Sequence, residues 1–209
     1  MLTDLTVKDF LDRLASDAPT PGGGSAAALA GAVAASLAGM VVALTLRSEK
    51  HQASHEALRP LTGRLGELRR ELTRLVDADS ASYDAVVAAN RLPRETPDQK
   101  TARAAARATA FRLATETPLA TAEASCEVVV AAEAALAAGI NMNAASDLGA
   151  ALLLCRAAIG GAALNVEINL PSLKDETFVT QVRDRLRIAT QEGARRADAA
   201  SAEIQRRMS

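Results

Sequence analysis

One aspartate of the chain occupies a position where an acidic side chain is costly unless it has a partner or a task. Along residues 61–92 apolar side chains recur with a spacing of four, three, four and three, at Leu61, Leu65, Leu68, Leu72 and Leu75. The same spacing reaches Asp79, whereas Asp77 and Asp84 lie roughly 200° and 140° around a helix from it, at about 100° per residue. Burial of a carboxylate raises its pKa. Asp79 is therefore predicted to be either a proton-transferring group or a structural aspartate held by a buried arginine or a backbone amide.

A glycine-rich segment, Pro19-Thr20-Pro21-Gly22-Gly23-Gly24-Ser25, precedes a run without charged residues that extends to Leu46. Glycine and proline are poor helix formers and alanine is the best, so a helix is predicted over 26–46, with its N-terminus at this segment. Backbone without side chains at the positive end of a helix dipole can be approached by another helix or by an anionic or polar ligand. We predict a substrate-site loop, with a tight turn into a buried helix as the alternative. The residues of this loop are Gly22, Gly23, Gly24 and Ser25.

The predicted helix 26–46 is apolar all round. One stripe consists only of small residues, Ala27, Gly31, Ala35 and Gly39, and a second is larger, Leu29, Val33, Leu37, Met40 and Leu44. Such a helix is predicted to be buried, either at the centre of a bundle or in a subunit contact, with the small residues against another helix. A membrane span is the competing interpretation. It is disfavoured because the run lacks an aromatic belt and a polybasic flank.

Composition excludes several classes of protein. The 209 residues suffice for one large domain, and we treat 1–209 as a single domain. A net charge of −1 and an aromatic content of 2% argue against a nucleic-acid partner, which calls for basic patches or stacking platforms. Cys126 and Cys155 lie in apolar helical context without a CxxC partner, as buried thiols of a reducing compartment do. The N-terminus lacks the pattern of a signal peptide, so a cytoplasmic protein is expected.

The remaining segments also predict helices. Thr6 to Asp9 resembles a capping box before a short helix; Pro97 starts a helix to about Thr115, and Pro118 another to Ala138. Further helices are predicted over 146–165 and 175–207. Basic residues of the helix after Pro97, among them Arg107 and Arg112, are taken as a solvated face. No stretch alternates with period two long enough for a strand, so the predicted fold is all-α, a multihelical bundle of long antiparallel helices.

Four further polar residues are candidates for a site. Ser146 and Asp147 stand where a helix is predicted to begin, and an N-cap would explain either of them. Asn165 and Asn169, spaced i, i+4, end an apolar segment where unpaired amides would be unfavourable. His51 and His55 share the same spacing, but no third ligand stands at a recognisable distance in sequence, so no metal site is predicted.

Several of these segments together resemble the cyclodeaminase domain of the formiminotransferase-cyclodeaminase family, which includes stand-alone methenyltetrahydrofolate cyclohydrolases. They span nearly the whole chain and occur in the family's order. They are Pro19 to Ser25, Met40 to Thr45, Leu75 to Tyr83, Leu92-Pro93, Ser146-Asp147 and Asn165 to Asn169. The resemblance implies a dimer-forming helical bundle that acts on a one-carbon derivative of tetrahydrofolate. It also implies that Asp79 matches the family's catalytic acid.

The resemblance leaves the choice between cyclodeamination and cyclohydrolysis open. Both reactions need a group that accepts and returns a proton, and neither requires a redox cofactor or a metal ion. Arg94 stands where the family commonly has lysine, and its usual basic cluster is reduced here to Arg47 and Lys50. These three residues keep positive charge and are expected to bind the folate's glutamate tail. The alternative from another class is a non-catalytic helical dimer that binds folate or serves as a scaffold.

Overall fold

A computed structural model describes residues 1–208, which form six α-helices and four short 3-10 helices. The α-helices are α1 Val7–Leu14, α2 Gly23–Leu46, α3 His55–Arg91, α4 Pro97–Ala138, α5 Ala145–Asn169 and α6 Glu176–Met208. The 3-10 helices are Leu2–Asp4, Glu49–Ser54, Met142–Ala144 and Leu170–Ser172. No strand occurs in residues 1–208. The prediction of an all-α fold is confirmed.

The long helices form two layers. α2 and α5 pack side by side in one layer, and both lie on α4 of the second layer, in which α4 is flanked by α3 and α6. Neighbours run antiparallel: the N-terminal half of α2 meets the C-terminal half of α3, where Gly31 faces Leu72, and the C-terminal half of α2 meets Leu65 through Gly39. The antiparallel bundle expected from the sequence is thus confirmed. This arrangement brings the start of α2 and the end of α5 to the same end of their layer.

The small residues of α2 allow the close helix contacts that the sequence predicted. A Cβ atom added to Gly31 would stand 2.7 Å from Ser125 Oγ and 3.0 Å from a methyl carbon of Leu72. Ala35 is 1% exposed, and an added Cβ at Gly161 of α5 would lie 3.3 Å from Cβ of Ala27. Because these contacts leave no room for a larger side chain, the stripe of small residues fixes how closely α2 approaches α3, α4 and α5.

The start of α2 differs from the prediction: the helix begins at Gly23, not at 26, so two of the three glycines lie inside its first turn. Within one copy of the chain the stripe of large apolar residues is only partly buried. Val33 is 43% and Met40 is 40% exposed, whereas Leu37 packs partly against the core. The core-facing side consists of small residues together with Val41, which is fully buried. The sequence predicted the centre of a bundle or a subunit contact; the inner side of α2 fits the first, and the second stays a prediction.

A single helix, α4, replaces the two helices predicted on either side of Pro118. Proline lacks an N–H, so the carbonyl of Ala114, four residues earlier, loses its helical donor. The Nδ2 of Asn169 donates to this carbonyl at 2.9 Å. The break was predicted from Pro118 alone, whereas a side chain 55 residues away replaces the missing donor and the helix continues.

Two other helix starts also differ from the prediction. α3 begins at His55, ahead of the apolar pattern over 61–92, and includes Pro60. The N-cap of α5 is Ala144, so neither Ser146 nor Asp147 caps it, and both lie in its first turn. The cap at Thr6 is present as predicted. Thr96 forms a capping box before Pro97, with its side chain accepting from the N–H of Gln99.

Two stretches, Gly23–Leu46 and Met142–Ser172, are long and apolar enough to cross a membrane by length and composition. In each, about half of the most apolar window is buried inside the bundle, 50% and 44% respectively. The apolar character of the inner face of each stretch is therefore explained by packing within the bundle. The part of both stretches that packing within the bundle does not cover is the outer face of the α2–α5 layer.

Candidate active site

Residues from four helices surround a cavity of about 350 Å³ at the end of the bundle where α2 begins and α5 ends. Its polar wall combines six residues singled out in the sequence, Gly22, Gly23, Gly24, Asp79, Asn165 and Asn169. Its apolar wall comes mainly from α3, α4 and the end of α5: Tyr83, Val86, Phe111, Ala114 and Ile168. The volume lies at the low end of the range of small-molecule sites, roughly 300 to 1,000 Å³.

Asp79 is half-buried in this cavity, and its hydrogen-bond partner is Ser25. Desolvation raises the pKa of the Asp79 carboxyl above its ordinary value, and hydrogen bonds from the Ser25 hydroxyl and amide partly oppose this shift. Among residues 1–208 no lysine, arginine or histidine forms an ion pair with Asp79. Of the structural alternative, the buried arginine is therefore wrong, whereas the backbone amide stays open, because the Ser25 amide is a partner of Asp79.

The Ser25 hydroxyl can satisfy Asp79 in both of its protonation states. Ser25 Oγ is fully buried and lies 3.0 Å from Asp79 Oδ2 and 3.0 Å from the carbonyl oxygen of Val76. It also lies 3.1 Å from Ser80 Oγ. An ionised Asp79 accepts the single hydroxyl proton of Ser25; a neutral Asp79 can donate to Ser25, which then donates to Val76. The site therefore accommodates gain and loss of one proton without leaving a buried group unpaired.

Gly24 is the residue of the glycine-rich segment that the site requires. A Cβ atom added there would stand 2.1 Å from Asp79 Oδ1 and within 2.8 Å of the whole carboxyl group. Any side chain at position 24 would displace Asp79. Gly23 has a looser contact, 3.4 Å from Asn165 Nδ2. The close approach at Gly24 is thus to the candidate catalytic group. Ser25, which was also predicted at the substrate site, is fully buried and does not line the cavity.

The two asparagines connect the helices around the cavity. Asn165 Nδ2 donates to the carbonyl of Gly161 at 2.8 Å, and Asn169 Nδ2 donates to the carbonyls of Asn165 and Ala114 at 2.9 Å each. Both amides are therefore fixed by backbone carbonyls. Their positions on the cavity wall make their side-chain oxygens acceptors for a polar ligand.

The structure does not bring five other predicted residues to this cavity. Arg47 and Lys50 follow the C-terminus of α2, about 36 Å along the helix from Gly23 at 1.5 Å per residue. Ser146 and Asp147 begin α5, at its opposite end from Asn165. Arg94 lies in the exposed turn between α3 and α4, about 20 Å beyond Asp79 along α3.

The apolar wall was only partly visible in the sequence. Tyr83 and Val86 continue the apolar pattern of α3, and Tyr83 is 44% exposed on the cavity. Phe111 was not singled out. The signal for both was the scarcity of aromatic residues: the chain has one tyrosine and three phenylalanines, and two of these four line this cavity. An aromatic side chain on a concave surface is well suited to stack against a planar ring.

The fold and the cavity together define a class. A helical bundle that holds a carboxylate of raised pKa in a cavity, with a hydroxyl that serves both its protonation states, has the features of an acid–base enzyme.

The sequence comparison places the chain within that class. The model of the family described as formiminotransferase-cyclodeaminase matches residues 6–188, and the chain belongs to this family. The predicted resemblance is confirmed.

Relatives carry names of folate enzymes. The chain is 42% identical over 176 residues to a methenyltetrahydrofolate cyclohydrolase of Methylorubrum extorquens, a match that covers 84% of each protein. It is 34% identical over 186 residues to a formimidoyltransferase-cyclodeaminase of Sus scrofa, and here the match covers 89% of this chain but 34% of the relative. The expectation of an enzyme of folate one-carbon metabolism agrees with both names.

A solved structure has the same fold. The crystal structure of formiminotetrahydrofolate cyclodeaminase from Thermotoga maritima superposes with a TM-score of 0.88 and 24% identity, over 100% of both chains. At this identity the match supports the all-α bundle.

Proposed function

We propose that the chain is a methenyltetrahydrofolate cyclohydrolase that uses Asp79 as its proton-transferring group. The observation that carries the proposal is the Asp79 carboxyl in the cavity, with a pKa raised by burial and with Ser25 as its partner. The choice of hydrolysis follows the relative of 42% identity, which matches this chain over 84% of its own length.

The proposed reaction needs one group that takes a proton and returns it. Water adds to the methenyl carbon of the 5,10-methenyl cation, and ionised Asp79 accepts a proton from the attacking water. The bond from the same carbon to N5 then breaks as N5 takes up a proton from neutral Asp79. The remaining hydroxyl proton leaves to solvent, and 10-formyltetrahydrofolate is the product. A raised pKa brings Asp79 closer to the operating pH, where acid–base groups are most effective.

The other residues of the cavity position the substrate. The planar pterin fits between the apolar wall of Tyr83 and Phe111 and the glycine face of α2, where no side chain intervenes. The side-chain oxygens of Asn165 and Asn169 accept hydrogen bonds from the polar edge of the ring. Neither a redox cofactor nor a metal ion enters this scheme, because the electrons and protons balance with water and one carboxyl group.

Cyclodeamination is the second candidate. The family description and the Sus scrofa relative both name it. In that reaction N10 attacks the carbon of the protonated formimino group of 5-formiminotetrahydrofolate, ammonia leaves, and the 5,10-methenyl cation forms. Asp79 would take the proton from N10 and give it to the departing nitrogen, so the same cavity serves.

One absorbance assay separates these candidates. The methenyl chromophore disappears in cyclohydrolysis and appears in cyclodeamination, so the purified protein is offered 5,10-methenyl- and 5-formiminotetrahydrofolate separately. We expect a protein-dependent loss of absorbance from the first substrate above the rate in buffer. Gain of absorbance from the second substrate alone would establish cyclodeamination instead. Binding of both compounds without turnover of either would establish the non-catalytic folate-binding alternative.

We also propose that the protein is a homodimer that pairs through the outer face of the α2–α5 layer. This face exposes Val33 and Met40 of α2 next to Leu153, Leu164 and Ile168 of α5, the last three at 64%, 67% and 76%. Each helix is about 36 Å long and about 10 Å wide, and the two axes are about 9 Å apart. Together the two helices present a face on the order of 700 Å². A stable interface takes roughly 800 Å² per partner. A second copy offers the same apolar face.

Light scattering on a sizing column tests the dimer. Val33→Glu with Leu164→Glu places charge on the proposed face, and we expect it to convert dimer to monomer. Leu113→Glu is the matched control, because Leu113 is an exposed leucine of α4 in the opposite layer (48%). A parent protein that is monomeric at micromolar concentration would contradict the proposal. We also propose that the protein is cytoplasmic, because Cys126 and Cys155 are both free thiols, as in proteins of reducing compartments.

A further inference from the structure

The hydroxyl of Ser80 is bonded to Ser25 and not to the usual partner of a helical serine. Elsewhere in the helices, the hydroxyls of Ser36 and Thr73 each donate to the carbonyl four residues earlier. For Ser80 that carbonyl belongs to Val76, and Ser25 Oγ lies 3.0 Å from it. Within residues 1–208 the side-chain partner of Ser80 is Ser25, with 3.1 Å between the two hydroxyl oxygens.

Ser80 and Asp79 reach Ser25 from different sides of α3. Asp79 faces the cavity, which Tyr83 and Val86 line from the same helix. Ser80 lies about 100° further around the helix, does not line the cavity and is partly exposed. Ser25 Oγ lies 3.0 Å from Asp79 Oδ2. Ser25 is therefore the link through which Ser80 can act on the carboxyl group in the cavity.

The single hydroxyl proton of Ser25 has three possible acceptors. They are the carbonyl of Val76, the carboxylate of Asp79 and the hydroxyl oxygen of Ser80. A serine hydroxyl has one donor and two acceptor sites, so Ser80 can also donate to Ser25. When it does, the Ser25 proton is left for Val76 or Asp79. Of these two, an ionised carboxylate is the stronger acceptor.

We propose that Ser80 is a positioning residue that directs the hydroxyl proton of Ser25 toward ionised Asp79. In this state the hydrogen bonds run in one direction, from Ser80 to Ser25 and from Ser25 to Asp79. Each bond of such a chain polarises and strengthens the next, and Ser25 is fully buried, where this effect is larger than in water. Ser80 thereby stabilises the carboxylate that takes a proton from water. This role in catalysis rests on the proposed function of the cavity.

Few other titratable groups face Asp79. Among residues 1–208, the side chains that line its cavity from α2, α3, α4 and α5 include one other titratable group, Tyr83. Asp77 of the same helix is bonded to the N-terminal segment. The pKa of Asp79 is raised by desolvation, and the bonds from Ser25 lower it. A change in the bond from the Ser25 hydroxyl is therefore expected to change this pKa.

The first test measures the pKa of Asp79 in Ser80→Ala and requires no turnover. The pKa is followed through the 13C signal of the side-chain carboxyl, which Asp79→Asn identifies by its absence. Loss of the Ser80 hydroxyl weakens the bond from Ser25 to the ionised carboxylate, so the pKa should rise. The acid dissociation constant should fall about twofold, the share that one further bond adds to a hydrogen-bond chain ending on a charged group.

The second test is the profile of kcat/KM against pH for hydrolysis of 5,10-methenyltetrahydrofolate. Because Asp79 must be ionised to accept a proton from water, kcat/KM of Ser80→Ala on the acid limb should be about half the parent value. The plateau should stay unchanged, since Ser80 does not line the cavity. Ser80→Thr keeps a hydroxyl and should restore the parent profile.

Two comparisons separate positioning from a general effect on structure. Thr73→Ala is the matched control, because it removes a hydroxyl of the same helix that bonds the carbonyl of Arg69, and it should leave both the pKa of Asp79 and the profile unchanged. In a Ser25→Ala background, Ser80→Ala should have no further effect, because the link to Asp79 is already lost. A residue that acted through the packing of α3 would have the same effect in both backgrounds.

Two results would overturn this role of Ser80. One is an unchanged pKa of Asp79 in Ser80→Ala, and the other is an equal shift with and without the Ser25 hydroxyl. A parent that turns over neither methenyl- nor formiminotetrahydrofolate contradicts the proposed function instead. In that case the pKa measurements still decide whether Ser80 acts on Asp79 through Ser25.

Discussion

Asp77 and Asp79 stand two residues apart on α3, but they belong to two different regions of the molecule. Asp77 faces the N-terminal segment, where it accepts a hydrogen bond from the N–H of Leu2 and another from Thr3 Oγ1 at 2.7 Å. Asp79 faces the cavity, where Ser25 is its partner. One carboxylate fastens a chain terminus to the bundle, and the other stands where a ligand can reach it. The comparison teaches that the role of a partly buried aspartate depends on what its carboxylate faces: a chain segment that it binds, or a cavity that a ligand can enter.

The largest effect that separates the two regions is expected from Asp79→Asn. The substitution keeps the shape and the hydrogen bond from Ser25 but removes the proton-accepting group. Turnover of the methenyl substrate should fall by about 10²-fold or more, the usual scale for a positioned acid or base. Asp84→Asn is the control, because Asp84 is exposed on the same helix. Parent-like turnover in Asp79→Asn would contradict the proposed mechanism.

The same variant makes a prediction about stability. Because the folded pKa of Asp79 lies above the ordinary value near 3.8, the unfolded chain ionises first as pH rises. The free energy of unfolding therefore falls between about pH 4 and the raised pKa and stays lower at neutral pH. Asparagine does not titrate, so we expect Asp79→Asn to melt at the parent temperature or above it at pH 7. A drop typical of a broken buried ion pair, about 3 to 5 kcal/mol, would show that the aspartate is structural.

Gly24→Ala tests whether the position of Asp79 matters without changing its chemistry. The new Cβ would overlap the carboxyl group, so Asp79 must move away from Ser25. A displacement of about 1 Å in a catalytic group can cost up to about 10²-fold in rate, and we expect kcat to fall by 10 to 10²-fold. Gly63→Ala is the matched control: an added Cβ there meets nothing within 4 Å. Equal kcat values in the two variants would show that the position of Asp79 set by Gly24 does not affect catalysis.

Asp77→Ala should have the opposite profile. It removes the acceptor for Leu2 and Thr3, so the N-terminal segment loses its attachment to α3. We expect the free energy of unfolding to fall by about 1 to 2 kcal/mol, measured by urea denaturation, with kcat unchanged. The position of Asp77 off the apolar stripe of α3 did not indicate these contacts. A loss of turnover at unchanged stability would instead place the catalytic acid at position 77.

The helix phase of α3 could be read from the sequence, because its apolar pattern repeats over several turns and places Asp79 on the inner face. Three other features could not be read from the sequence: the start of α2, the continuation of α4 past Pro118, and the partner of Asp79. Each depends on contacts between residues far apart in the chain: Gly24 with Asp79, Asn169 with the carbonyl freed by Pro118, and Ser25 with Asp79. Local propensity carries no information about such contacts.

The charged residues show the same limit. Arg47 and Lys50 were expected at the site because of their place in a family pattern, and the structure puts them at the far end of α2. Arg107 was dismissed as part of a solvated face, although it is half-buried beside Phe111. The phase of a charged residue on a long exposed helix does not reveal whether a loop from another helix covers it. Here the segment 172–175 and Arg107 line one cavity between that segment and α4.

The smallest effect is expected from Ser25→Ala, and it concerns pH. The Ser25 hydroxyl is fully buried and directed at Asp79 and Val76, so its loss should leave KM nearly unchanged. Hydrogen bonds from Ser25 lower the pKa of Asp79, and removal of the hydroxyl should therefore raise it further. Asp79 must be ionised to accept a proton from water, so the acid limb of the profile of kcat/KM against pH should move to higher pH. The rate on the plateau should fall only modestly.

Ser36→Ala is the control, since the Ser36 hydroxyl bonds only the carbonyl of Ala32 in its own helix. A raised KM with an unmoved acid limb would mean that the Ser25 hydroxyl contacts the substrate and does not set the protonation of Asp79.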